Sequence, residues 1–175
     1  MIKKQTQINY DKQTTCCFSG PRPKNLPWCN DIFDNRAIKF NKKLKTEIES
    51  LIKKGYSTFL CGMALGFDTM CADIVLKLKE KNNLIKLIGV IPCKNQSKLW
   101  QEKDKQHYDK ILKQLDEKIF IYEEYIGKKC MIERNKFMVD NSSCLLSVNI
   151  DYQGGTKFTI DYANTKNVNV ILLDL

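Results

Sequence analysis

Six short runs of apolar, β-branched or aromatic residues punctuate the chain: "TTCCF", "STFLC", "LIKLIGVI", "KIFIY", "SCLLSVNI" and "NVNVILL". Segments with helical spacing separate them. In the first, Ala37, Phe40, Leu44, Ile48, Leu51 and Ile52 fall on one face, and Gly55 supplies a C-terminal stop. A second opens at Asp68 and groups Cys71, Ile74, Val75 and Leu78. A third carries Trp100, Tyr108, Ile111, Leu112 and Leu115, a fourth runs over 128–140, and a short fifth follows Gly155. Strands that are nearly continuous in apolar residues are buried on both faces, and strands alternating with helices make parallel pairs. The pattern predicts an α/β protein: a Rossmann-like, doubly wound, mostly parallel sheet flanked by helices on both faces. Residues 14–175 form one domain in this reading, and 1–13 are a polar N-terminal extension.

In such sheets a ligand sits outside the carboxyl ends of the strands, where the strand order reverses. The segments directly after the strands are therefore the informative ones. They read "SGPRP", "CGMALGFD", "PCKNQ" and "NIDYQGGT". Glycine lets a ligand approach the backbone, and a helix that follows presents unpaired N–H groups and a positive dipole end. Phosphate suits that arrangement best. None of these segments is a GxGxxG or GxxxxGK[ST] motif, so the site rests on their joint placement.

Charge and cysteine usage narrow the partners. Lys and Arg number 29 against 20 acidic residues, a net charge of +9 that favours anionic partners. Many of the lysines alternate with acids along helix faces, as in "KFNKKLKTEIESLIKK", which reads as a solvated surface. The eight cysteines include no CxxC pair and the chain has one histidine, His107, so no metal site is predicted. Cys16, Cys17, Cys61 and Cys144 lie within apolar runs and read as reduced, buried thiols of a cytoplasmic protein. The N-terminus lacks the apolar stretch of a signal peptide, and "LIKLIGVI" is too short to span a bilayer, so no membrane partner is expected.

Five motifs in order, "FSGPRP", "GMALGFDTMCAD", "IPCKNQSKLW", "ERNKFMVDNSSCLL" and "GGTKFT", resemble the YpsA-like group of the SLOG superfamily across nearly all of residues 14–175. That superfamily has the Rossmann-like fold shared by DprA and the cytokinin-activating LOG enzymes. The resemblance implies a nucleotide-derived, ADP-ribose-like small-molecule ligand, bound to sense or sequester a signal, with no cofactor and with assembly into homo-oligomers. It carries two alternatives: LOG-like N-glycosidase action on nucleoside monophosphates, and DprA-like binding of single-stranded DNA. "QGGTKFT" is similar to the LOG signature but departs from it twice. Gln153 stands where that signature has proline, and the acidic residue that should follow is absent among Lys157, Phe158 and Thr159. Hydrolysis is disfavoured by that loss; phosphate binding is not.

The candidate residues follow. Ser19 and Gly20 would offer N–H groups and a hydroxyl at the first strand end, and Arg22, held between two prolines, a planar fork of donors for phosphate. Gly62 and Gly66 would permit close approach, with Met63, Ala64 and Leu65 as an apolar wall. Asp68 is either the N-cap of its helix or a carboxylate for a ribose hydroxyl or for base catalysis. Gln96 would read a base or sugar, and Trp100 would stack on a base or pack in the core. Arg134 is a second anion ligand beside Asn135, and Glu133 is the tentative catalytic acid or base together with Asp68. Met131 and Met138 would form the apolar face of that helix, and Asp140 its end. Gly154, Gly155 and Thr156 would hold a phosphate at a helix N-terminus.

Overall fold

The structure is a computed structural model that describes residues 10–29, 31 and 33–175. Six strands, β1 (Thr15–Phe18), β2 (Thr58–Cys61), β3 (Lys86–Cys93), β4 (Glu117–Tyr122), β5 (Cys144–Val148) and β6 (Asn169–Leu173), form one sheet in the order β4-β3-β2-β1-β5-β6. Every neighbouring pair is parallel. Five helices connect them: α1 (Asn35–Lys53), α2 (Phe67–Lys79), α3 (Glu102–Leu112), α4 (Lys128–Asp140) and α5 (Gly155–Thr165). This is the Rossmann-like α/β architecture that the alternation predicted.

The two-residue period of each strand divides the core. Cys16 and Phe18 of β1, Phe59 and Cys61 of β2 and Leu146 and Val148 of β5 meet α1, α2 and α3 in one cluster. Cys17, Leu60 and Leu145 point the other way, onto Met138 and Val139 of α4 and Ile160 and Ala163 of α5. The phenyl rings of Phe18 and Phe59 stack across β1 and β2, 5.7 Å apart and tilted by 9°. The eight cysteines form no disulfide among the described residues, and the seven other than Cys29 are buried. Burial pushes Cys17 up to about 12, so it packs as a small apolar residue.

Helix boundaries depart from the sequence expectation by small steps with clear causes. Gly66, at φ 93°, caps α2, so the helix starts at Phe67 and Asp68 falls in its first turn instead of capping it. α3 begins at Glu102 and ends at Leu112, which leaves Trp100 and Leu115 outside it; Trp100 packs edge-on against Tyr108 at 5.1 Å. Of the polar extension, 1–9 lie outside the described residues. From Tyr10 on the chain is attached: Asp11 caps the short turn Lys12–Thr14, and the Gln13 carbonyl accepts from Ser143 Oγ at 2.8 Å. Among the described residues no helix is long and apolar enough to cross a membrane.

The site-forming consequence is topological. After β1 the chain builds outward through β2, β3 and β4, then returns to place β5 on the other side of β1. Strand order therefore reverses at β1 and β5, and the connections leaving them diverge, which opens a crevice at their carboxyl ends.

Candidate functional site

A cleft of about 630 Å³ lies at that reversal, lined by the loops after β1 and β5, by Ala64 and Asp68, and by α4 and the start of α5. The two central strands are clamped where it begins. Ser19 N–H donates to the Leu146 carbonyl at 3.3 Å, and Ser147 Oγ donates to the Ser19 carbonyl at 2.6 Å. The Ser19 N–H is thus spent on the sheet and is not offered to a ligand, as the sequence reading had it.

The "SGPRP" segment is latched onto the segment after β2. Phe67 N–H donates to the Pro21 carbonyl at 3.1 Å. A Cβ on Gly20 would fall 2.2 Å from the Phe67 ring, and one on Gly66 would fall 2.6 Å from the Pro21 carbonyl oxygen. Two loops from adjacent strands so interlocked leave Arg22 exposed on the cleft wall, at the head of the turn Pro23–Asn25. The prolines fix the backbone, and the arginine stays free to reach inward.

Asp68 and Arg134 form the floor. Asp68 is 4% exposed, and its Oδ2 accepts from Ala64 N–H at 3.2 Å across the turn. Arg134, on α4, is 5% exposed, with Nη1 3.5 Å from that same oxygen. Its guanidinium rests on Gly62: a Cβ there would lie 1.5 Å from Nη1. Gly62 therefore serves as the seat of Arg134 and does not itself line the cleft.

Among the described residues, Nε and Nη1 of Arg134 have no hydrogen-bond partner. A buried donor left unmade costs about 1–3 kcal/mol, more when charged, and an acceptor entering the cleft would relieve that cost. Burial lowers its pKa from the usual value, and the like charge of Arg22 adds to that; a guanidinium still keeps its proton at neutral pH. Burial raises the Asp68 carboxyl above the usual range, opposed by Arg134 and by the Ala64 N–H. Among the described residues three cations, Arg22, Lys128 and Arg134, line the cleft against one carboxylate, Asp68.

The opposite wall is the start of α5, capped by Gly154, with Gly155 and Thr156 in its first turn. Asn135 Nδ2 donates to Thr159 Oγ1 at 2.7 Å, and Thr159 Oγ1 donates to the Gly155 carbonyl at 2.7 Å. Asn135 thereby ties α4 to the α5 N-terminus and fixes the spacing of the cationic floor from that helix end.

Of the predicted residues, Ser19, Gly20, Arg22, Ala64, Asp68, Arg134, Asn135, Gly154, Gly155 and Thr156 come together around this cleft. Others fall outside it. Gln96 Nε2 donates to the Met63 carbonyl at 2.5 Å, which braces the turn where Met63 takes a positive φ of 57°. Met63 is buried in the core, and Leu65 and Gly66 belong to the same braced turn. Glu133 is half-exposed, 3.6 Å from Lys136 and absent from the cleft lining, so the geometry gives it no part in a reaction there. Sequence reasoning did not place Lys128, Ile132 or Phe158 in the pocket, and offered Tyr125 and Tyr152 only as aromatics for the single-stranded DNA reading; all five line the cleft. Met131, read as core, lines it as well.

The YpsA family model, described as the YspA SLOG family, matches residues 16–172. The SPbeta prophage-derived protein YoqJ of Bacillus subtilis (strain 168) is 33% identical over 138 residues, 72% of this chain and 81% of that one. Among solved structures, DprA of Streptococcus pneumoniae superposes with a TM-score of 0.63 at 18% identity, covering 91% of this chain and 50% of that one. A DprA structure from Helicobacter pylori, described for its single-stranded DNA binding mode, gives 0.60 at 16%, covering 91% and 64%. This chain therefore spans between half and two thirds of those DprA chains.

Proposed function

The chain belongs to the YpsA SLOG family, and from that premise we propose that its cleft binds a nucleotide-derived, phosphate-bearing small molecule, ADP-ribose-like in kind, in order to sense or sequester it. The observation that carries the proposal is Arg134: a guanidinium 5% exposed, whose Nε and Nη1 make no hydrogen bond among the described residues, in a cleft that already holds Arg22 and a helix N-terminus. Two arginines and the free N–H groups of α5 suit a phosphate or diphosphate, whose oxygens accept charge-assisted bonds from each. The cleft's position at the strand reversal, where such folds hold nucleotides, supports the same reading.

Hydrolysis of the ligand ranks below binding. Asp68 is the one carboxylate among the described lining residues, and it is engaged by Arg134 and the Ala64 N–H. A water-activating base needs a lone pair free for the proton it takes. Single-stranded DNA is the second reading, favoured by the H. pylori DprA description and the net charge of +9. It predicts affinity that falls steeply with salt.

The test is retention. The protein is incubated with NAD, ADP-ribose, cyclic ADP-ribose forms and nucleoside monophosphates, freed of unbound material, denatured, and the released compounds are identified by mass spectrometry. Intact ligand at stoichiometric yield, lost in the Arg22→Ala/Arg134→Met double variant, is the expected result. Free base with ribose phosphate would establish a glycosidase instead. Retention of none of them, with salt-sensitive binding of an oligonucleotide, would favour the DNA reading.

A further inference from the structure

Helix α4 is inside out where it meets the cleft. Arg134 and Asn135 are buried at 5% and 8% exposure, whereas Ile132 beside them is 38% exposed. Lys128, Met131, Ile132 and Asn135 follow the i, i+3, i+4, i+7 spacing of one helical stripe, and all four line the cleft. A helix that buries an arginine and an asparagine at the cleft and leaves an isoleucine there partly in water has its polarity locally reversed. The reversal becomes favourable only if something fills the cleft that is anionic at the floor and apolar at the rim.

The rim continues beyond α4. Tyr125, 54% exposed, lines it from the connection after β4, and Phe158 lines it from α5. Tyr152, after β5, also lines the cleft, and its buried hydroxyl has no hydrogen-bond partner among the described residues. A phosphate alone would satisfy Arg134 and leave this rim wet. The two residues the sequence offered for a base do not serve: Gln96 is bonded to the Met63 carbonyl and Trp100 is packed on Tyr108.

We infer that the rim formed by Tyr125, Met131, Ile132 and Phe158 is a nucleobase subsite, so the cleft selects phosphates that carry a flat aromatic base over sugar phosphates that lack one. This rests on the proposed phosphate-binding function, and it specifies which phosphates are taken. The floor supplies affinity for any phosphate; the rim supplies the choice among them.

A matched pair isolates the rim, because AMP and ribose 5-phosphate differ only in the base. Isothermal titration of the full chain should show AMP binding at least about 10-fold tighter, in line with what stacking a base on an aromatic side chain contributes. The Tyr125→Ser/Ile132→Ser double variant changes only exposed side chains, so it should fold. It should lose about 10-fold for AMP and ADP-ribose, with the loss confined to ligands that carry a base. Equal affinity of the wild type for AMP and ribose 5-phosphate would overturn the subsite and leave phosphate binding standing. So would a variant that weakens all ligands alike, or one that changes only the oligomeric state, which would make the rim an interface between copies. Failure of AMP, ADP-ribose and ribose 5-phosphate alike to bind would remove the function reading and the subsite with it.

Discussion

Helices α1 and α4 lie against opposite faces of the same sheet and obey opposite rules. α1 buries Ala37, Phe40, Leu44, Ile48 and Leu51 on one stripe and gives its lysines to water. α4 buries Cys130, Met138 and Val139 but also Arg134 and Asn135. For α1, packing is explanation enough: each buried Leu or Ile contributes about 1.5–3 kcal/mol, and among the described residues it has no buried side-chain polar atom without a partner. α4 keeps a charged group with two nitrogens that make no hydrogen bond among the described residues, at a cost its packing does not require. The difference separates what holds this fold together from what the fold is for.

The comparison breaks most sharply at Gly62. Gly62→Ala places a methyl group where the Arg134 guanidinium rests, so the arginine must leave its seat. Ligand affinity, read by titration with ADP-ribose, should fall at least about 100-fold, the range for removing one partner of a buried charged contact. Affinity within a few-fold of wild type would show that the seat of Arg134 is immaterial.

On the α1 side, Leu44→Ala should cost about 2–5 kcal/mol of stability and lower the melting midpoint by about 4–20 °C. Ligand affinity measured below that midpoint should be unchanged. Should the same substitution weaken binding while the protein remains folded, the division between the two helices would fail.

A smaller effect sharpens the floor. A proton on Asp68 removes the negative charge that competes with a ligand for Arg134, and a bound anion raises the carboxyl further still. The Asp68 carboxyl already lies above the usual value. Affinity should therefore rise as pH falls through its titration, and decline by a few-fold as pH increases beyond it. Asp68→Asn should flatten that profile, seen by repeating the titration across pH with ADP-ribose, whose diphosphate does not change charge near neutrality. A slope that persists in the variant would assign the pH dependence to another group.

Sequence alone conveyed the sheet because its signal is local. β1, β2 and β5 are buried on both faces, so their residues are uniformly apolar and stand out between helical stretches. The glycine-rich strand ends were legible for the same reason, and Arg22 stood out between its prolines. What was not legible depended on contacts distant in the chain. Gly62 looks like a ligand-facing glycine until Arg134, from α4, is seen resting on it. Ser19 offers an N–H until β5 takes it. Glu133 drew attention because it adjoins Arg134 in sequence, but neighbours on a helix point about 100° apart, and it turns to Lys136. The rim residues carry no motif; their one signal was the blocked pattern of α4, where apolar residues fail to keep a single stripe.

On the proposed function, Arg134 is kept for an anionic ligand and not for the fold. Arg134→Met tests it directly when melting and ADP-ribose titration are run on the same sample. Replacing a poorly satisfied buried charge with an apolar side chain of similar length should leave the protein no less stable once Asp68 is also made Asn, as exchange of buried ion pairs for apolar residues generally does. The account predicts an Asp68→Asn/Arg134→Met protein that melts at or above the wild-type midpoint and no longer retains ligand. A double variant that melts well below wild type yet still binds would contradict it.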